Sequence, residues 1–153
     1  MINIGVIGSN FITDRLIEGA REVNDVNIAA VYSRTEERAK EFADKHGIKN
    51  IYTSLEEMAK SALIDAVYIA SPNALHSSQA IVFLNNKKHV LCEKAFASNT
   101  REVDAMIKAA KENDVVLMEA MKTTLLPNFR VIKENLHKIG KVRKYFASYC
   151  QYS

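Results

Sequence analysis

Two kinds of segment alternate along the chain. Short runs of nearly continuous apolar residues, rich in Val and Ile, are each followed by a longer stretch with helical spacing. The runs are Ile2–Ile7, Val26–Tyr32, a weak one at Asn50–Tyr52, Ala66–Ala70, His89–Cys92 and Val115–Met118. Unbroken rather than alternating hydrophobicity is what strands covered on both faces require, which points to a parallel sheet. The stretches between them have readable ends. Thr35 is placed to cap a helix over Glu36–His46, and Gly47 follows where a left-handed residue would end it. Ser54 with Glu57 has the spacing of a capping box, and Asn99 with Glu102 repeats it before a helix over Val103–Asn113. Ala80–Leu84 reads as the middle of a further helix. Such a βαβ series, wound with right-handed crossovers, predicts an α/β fold: a Rossmann-type doubly wound parallel sheet.

The end of the chain breaks this pattern. Pro127 precedes a last helix, about Asn128–Lys138, and Gly140 closes it; Val142–Tyr149 then reads as a strand of mixed alternation. The pattern predicts one domain over residues 1–140 and, in 141–153, the first strand of a truncated second one. An unpaired apolar edge there would invite a second copy, so a dimer or aggregation through that segment is expected.

Composition narrows the partners. The 153 residues are 48% hydrophobic and 25% charged, enough apolar material for one real core. A net charge of +3, with no arginine–aromatic interleaving, argues against nucleic acid or an anionic membrane. Cys92 and Cys150 are too few for a disulfide framework or a four-ligand zinc site, so no metal is expected. Cys92, in an apolar run, reads as a small buried hydrophobe. Met1 leads straight into a strand pattern without the basic and apolar regions of a signal peptide, and the expected compartment is the cytoplasm.

The first run ends in a turn that opens a helix: Ile7-Gly8-Ser9-Asn10-Phe11-Ile12-Thr13. A dinucleotide fold needs glycine where the backbone turns sharply and approaches pyrophosphate, followed by the free N–H groups of a helix N-terminus. Gly8 suits the turn. Asn10 stands at the usual second glycine and is a residue that tolerates a left-handed backbone. Thr13 replaces the third small residue, where helix and sheet pack closely. The second run ends Tyr32-Ser33-Arg34, and Arg38 follows at i+4 from Arg34. NAD-selective sites carry a carboxylate roughly 20 residues after the glycines for the ribose 2′-hydroxyl. Here a hydroxyl and two guanidiniums stand instead, whose planar donors suit a 2′-phosphate. NADP(H) is therefore preferred over NAD(H). The alternative for Arg34 and Arg38 is surface pairing with Glu36, Glu37 or Glu41.

Three more segments complete a set: Ile69-Ala70-Ser71-Pro72-Asn73-Ala74-Leu75-His76, Leu91-Cys92-Glu93-Lys94-Ala95 and Met118-Glu119-Ala120-Met121. With the opening turn, the ordered Pro-Asn-x-x-His loop and Glu-Lys pair resemble the Gfo/Idh/MocA oxidoreductases, in the branch of dihydrodiol dehydrogenases and glucose-fructose oxidoreductase. The resemblance spans essentially the whole chain. It implies an enzyme about twice this size, whose second half, absent here, is an open antiparallel sheet binding substrate and forming oligomer contacts. It implies a nicotinamide-dependent oxidoreductase acting on the CH–OH or C=O group of a sugar, polyol or related diol, and a homo-oligomer. It places Lys94 near the nicotinamide and the substrate hydroxyl as the catalytic residue. It also places Ala70, Ser71, Pro72, Asn73 and His76 over the dinucleotide, beside Gly8, Ser9, Asn10, Phe11, Ile12, Ser33, Arg34, Arg38 and Glu93. All these positions lie just past the carboxyl ends of strands, where open α/β sheets bind ligands. An ammonium at Lys94 would stabilise developing alkoxide charge, and Glu93 would hold it charged and in place.

The chain departs from the family at named points. Asn10 replaces glycine, and Ala95 follows Glu93-Lys94 in place of proline, which is expected to loosen that backbone. Thr123, Thr124 and Leu126 stand where the branch often has an aromatic residue, an arginine and a histidine. Two other readings remain: a non-catalytic dinucleotide-binding regulatory module, and a methyltransferase-like nucleoside site, against which the absent acidic residue after the second run counts. The dinucleotide reading requires the turns at Gly8, Ser33, Ser71 and Glu93 to converge on one crevice.

Overall fold

In a computed structural model that describes residues 1–148 and 150, the six apolar runs are the six strands of one sheet. β1 (Ile2–Ile7) lies between β2 (Val26–Tyr32) and β4 (Ala66–Ile69), with β3 (Asn50–Tyr52) outside β2. β5 (His89–Cys92) and β6 (Leu117–Glu119) extend the other side. The order is β3-β2-β1-β4-β5-β6 and every pairing is parallel. Two strands differ from the expected bounds. β4 stops one residue early, at Ile69. β6 starts at Leu117 because Val115 is taken up in ending the preceding helix, its N–H donating to Ala110 O at 3.1 Å.

Each crossover is a helix: α1 (Phe11–Ala20), α2 (Glu36–His46), α3 (Leu55–Lys60), α4 (His76–Asn85) and α5 (Thr100–Glu112). Residues alternate between faces along each strand. Val6, Val31 and Tyr68 therefore meet Ile17 of α1 and Phe42 of α2, while Ile7, Val67 and Ile69 meet Ala80, Phe83 and Met106 of α4 and α5. Both faces are covered, which is why the runs show no polar alternation.

The caps are partly as expected. α2 has the expected bounds and ends on Gly47 at φ +72°, but the Thr35 side chain makes no capping bond. Ser54 Oγ accepts from Glu57 N–H, without the reciprocal bond of a full box. α5 begins at Thr100, three residues before the expected start, because Asn99 is its N-cap and accepts from Glu102 N–H at 3.1 Å. The Glu102 carboxylate accepts from Ser98 N–H, one residue upstream of the cap.

By contacts the chain divides into Met1–Ala120 and Met121–Ser153. The second unit contains α6 (Pro127–Asn135) flanked by short 3-10 turns at Lys122–Leu125 and Leu136–Ile139. The expected helix over Asn128–Lys138 thus begins on the proline, whose missing N–H is no loss in a first turn, and tightens after Asn135. The strand expected over Val142–Tyr149 does not form: residues 142–148 have no regular structure, and Tyr149 lies outside the described residues. A strand needs a ladder partner, and 142–148 have none among the described residues. The strand edge expected to recruit a second copy is therefore missing there.

Candidate functional site

The sheet reverses its winding direction between β1 and β4, the place where doubly wound folds open a crevice at the carboxyl ends of their strands. Three turns meet there. Gly8, Ser9 and Asn10 follow β1; Ser33 and Arg34 follow β2, with Tyr32 and Arg38 beside them; Ala70, Ser71 and Pro72 follow β4, with Leu75 and Gln79 behind. The cleft encloses about 210 Å³. That is below the roughly 300–1,000 Å³ of drug-sized pockets, room for part of a dinucleotide rather than the whole of one. A larger cavity, about 420 Å³, lies at the amino ends of the strands around Asn3, Asn27 and Lys49. Asn3, Asn27 and Asp65 bond one another at that end, and it is the wrong end of the sheet for ligands.

Gly8 has φ +103°, and a Cβ there would lie 2.6 Å from Ala70 O. The turn thus brings two backbones together where only glycine fits. Asn10 is not left-handed, as expected from its position, but extended at φ −109°. It caps α1: its Oδ1 accepts from Ile12 N–H at 2.9 Å and Thr13 N–H at 3.3 Å, and its Nδ2 donates to Ala70 O at 2.8 Å. The cap occupies the Ile12 N–H, so that group of the expected binding turn is not free for a ligand. The backbone N–H groups of Ser9, Asn10 and Phe11 carry no hydrogen bond among the described residues, and they sit at the positive end of the helix dipole. A bare backbone turn with free donors fits a pyrophosphate.

No carboxylate lines the cleft, whereas two guanidiniums do. Among the described residues neither Arg34 nor Arg38 pairs with Glu36, Glu37 or Glu41. Their charge is left for whatever enters.

The loop after β4 is held from beneath. Ser71 Oγ donates to Gln79 Oε1 at 2.6 Å. His76 does not line the cleft. Its buried ring bridges two loops, with Nε2 2.9 Å from Ser71 O and Nδ1 2.8 Å from Ala95 O. Both neighbours are carbonyl acceptors, so each contact is a hydrogen bond only where the facing ring nitrogen carries the proton. Asn73 is exposed in a 3-10 turn and Phe11 is exposed on α1.

After β5 the expected Glu93–Lys94 ion pair is not formed among the described residues. Glu93 Oε1 accepts from the Tyr68 hydroxyl at 2.8 Å and Oε2 from the Lys94 backbone N–H at 3.2 Å, leaving the exposed Lys94 ammonium without a partner. Burial, then the bond to Glu93, pushes the Tyr68 hydroxyl far above its usual range, so it remains a donor. Burial also pushes the Cys92 thiol up to about 12, helped by the charges of Glu93 and Glu119. Beside Ala95, which stands in place of proline, the backbone is contacted on both sides: the Ala95 carbonyl lies 2.8 Å from His76 Nδ1, and Phe96 N–H donates to Glu119 Oε1 at 3.2 Å. The Lys94–Ala95 peptide is cis.

Gly8, Ser9, Asn10, Ser33, Arg34, Arg38, Ala70, Ser71 and Pro72 therefore share one cleft; Phe11, Ile12, Asn73, His76, Glu93 and Lys94 do not line it. Three of the four turns converge, and the fourth, at Glu93, opens at the same edge of the sheet two strands away from β1. Sequence reasoning missed Ile7, Tyr32, Leu75 and Gln79. The i,i+4 spacing of Leu75 and Gln79 behind Pro72 was the available signal. Among the described residues no group of three or more His, Cys, Asp or Glu side chains could hold a metal, and no helix is long and apolar enough to cross a membrane.

Comparison with known proteins agrees with this fold. The profile of the oxidoreductase family with an NAD-binding Rossmann fold, GFO_IDH_MocA, matches residues 2–121. The chain belongs to the Gfo/Idh/MocA family. It is 61% identical over 153 residues to the scyllo-inositol 2-dehydrogenase (NADP(+)) IolU of Bacillus subtilis, covering 100% of this chain and 47% of that protein. It is 42% identical over 118 residues to a trans-1,2-dihydrobenzene-1,2-diol dehydrogenase of Danio rerio, covering 76% of this chain and 35% of the relative. Among solved structures, a probable dehydrogenase from Thermotoga maritima superposes with a TM-score of 0.83 at 31% identity, over 90% of this chain and 41% of the other. The Gfo/Idh/MocA chain described here thus spans about half the length of the curated relatives it matches.

Proposed function

We propose that this chain is the nucleotide-binding part of an NADP(H)-dependent oxidoreductase that interconverts CH–OH and C=O groups on a polyol, sugar or related diol. The observation that carries the reading is the charge of the cleft: Ser33 and Arg34 just after β2 and Arg38 on α2, with no carboxylate among the lining residues. A ribose 2′-hydroxyl has no carboxylate to meet there, whereas a 2′-phosphate meets two planar donor groups. The name of the 61% identical relative, with its NADP(+) and scyllo-inositol, supports both halves of the proposal.

The dinucleotide would supply the hydride chemistry; the residues supply placement. Gly8 and the free N–H groups of Ser9–Phe11 receive the pyrophosphate, and Arg34 and Arg38 the 2′-phosphate. Tyr68 and the Lys94 backbone N–H hold the Glu93 carboxylate, leaving the Lys94 ammonium free to orient a substrate oxygen and stabilise negative charge on it. Titration of the chain with NADPH and NADH, followed by nicotinamide fluorescence, tests the assignment. NADPH binds more tightly, and Arg34→Ala weakens it about 10- to 100-fold, as expected for a charged hydrogen bond, while NADH affinity stays within twofold. Equal affinities that the substitution leaves alone would overturn the reading.

A further inference from the structure

The walls of the cleft differ in charge, and the difference sorts the ligand. The turn after β1 offers backbone N–H groups, and the β2–α2 corner offers Arg34 and Arg38, all donors suited to phosphate. The third wall, from the β4 turn and the first turn of α4, carries no charge: it presents Pro72, Leu75 and Gln79. Gln79 is 7% exposed, yet among the described residues its amide nitrogen has no acceptor; only its oxygen is bonded, by Ser71 Oγ at 2.6 Å. The fully buried side-chain polar atom without a partner is Thr13 Oγ1. The equally unpartnered Gln79 nitrogen therefore keeps contact with solvent, and the opening it lines is the cleft. Since Ser71 holds the oxygen, the amide is oriented, with its two N–H donors left for a ligand.

The geometry points to Gln79 as a specificity-determining residue that donates to a purine base lying between Leu75 and the guanidinium wall, with Ser71 as the positioning residue that fixes the amide. This rests on the nucleotide reading above and adds the group that recognises the base. A flat, uncharged ring with apolar faces and acceptor nitrogens at its edge matches a wall made of proline, leucine and one amide donor. Arginine planes stack on such rings from the opposite side. A phosphate could accept from the amide but would leave Pro72 and Leu75 without an apolar partner, and a purely apolar group would leave the amide donor unpaired.

The test uses the intact chain, calorimetry and two probes: adenosine 2′,5′-bisphosphate, and ribose 2,5-bisphosphate, which lacks the base. Gln79→Leu should weaken the adenosine probe about fivefold, the worth of one neutral hydrogen bond, and leave the base-free probe within twofold. Ser71→Ala, which keeps the amide and frees its orientation, should weaken the adenosine probe by a smaller factor and guards against a folding defect in the first variant. Equal weakening of both probes, or no weakening of either, overturns the role of Gln79 while the nucleotide reading stands. Failure of the unaltered chain to bind the adenosine probe overturns both.

Discussion

Replacing Gly8 by alanine tests the idea that the cleft floor is two backbones in contact. The new Cβ would lie 2.6 Å from Ala70 O and 2.9 Å from its carbonyl carbon, well inside van der Waals contact. Neither neighbour can yield. Ala70 O accepts from Asn10 Nδ2 at 2.8 Å, and Ala70 N–H donates to Ile7 O at 2.9 Å, so the residue is pinned on both sides. Overpacking of this kind costs about 1–3 kcal/mol. The φ of +103° adds a backbone penalty of about 1–3 kcal/mol for any residue with a Cβ. The expected loss is about 2–6 kcal/mol, a large part of the ~5–15 kcal/mol that holds an ordinary domain together. Gly47→Ala separates the two contributions. Gly47 has φ +72°, but a methyl group added there would meet nothing within 4 Å, so it carries the backbone penalty alone, about 1–2 kcal/mol. Urea unfolding with linear extrapolation measures both, with the slope unchanged if the denatured states are alike. A Gly8→Ala variant no less stable than Gly47→Ala would refute the close approach of the β1 and β4 turns, and with it the construction of the cleft.

Two further outcomes follow from polar groups outside the cleft. Thr13 is fully buried and its hydroxyl has no partner, so Thr13→Val, which exchanges that hydroxyl for a methyl, should stabilise the chain by about 1 kcal/mol in the same urea experiment; a comparable loss would mean the hydroxyl is bonded after all. Asp14 on α1 meets Lys45 Nζ at 2.9 Å and His46 Nε2 at 2.7 Å on α2, and the Lys45 bond is the largest influence holding its carboxyl below the usual carboxylate value. A depressed carboxylate stabilises the fold above the unfolded pKa of about 3.9 and loses that contribution as pH falls through the lower folded value. Asp14→Asn should therefore make the stability profile flatter on the acid side below about pH 4; identical acid limbs for the two proteins would contradict the pairing.

The strands were legible because burial on both faces writes itself into the local sequence: five of the six runs match their strands to within one residue, and only the run at Val115 is displaced. Arg34 and Arg38 were legible for a similar reason, since i+4 spacing at a helix start is a local property. The groups that were misread depend on contacts remote in sequence. Asn10 looked like a substitute for glycine, but the carbonyl that recruits its amide belongs to Ala70, 60 positions later. Glu93 looked like the partner of the neighbouring lysine, whereas a tyrosine 25 residues earlier takes its carboxylate. His76 looked like a ligand contact and is instead the tie between two loops.

Periodicity, turn residues and the charges beside them determined, without coordinates, that this chain would fold as a doubly wound parallel sheet with a phosphate-type turn and a cationic corner. Those features depend on φ/ψ preference and on which side chains must avoid water, and both act over a few neighbouring residues. Only the tertiary structure decided which N–H groups stay free, which carboxylate is already engaged, and that Gln79 faces the cleft. A hydrogen bond is won by whichever partner the packed helices and strands bring within about 3 Å, and no local pattern records that competition.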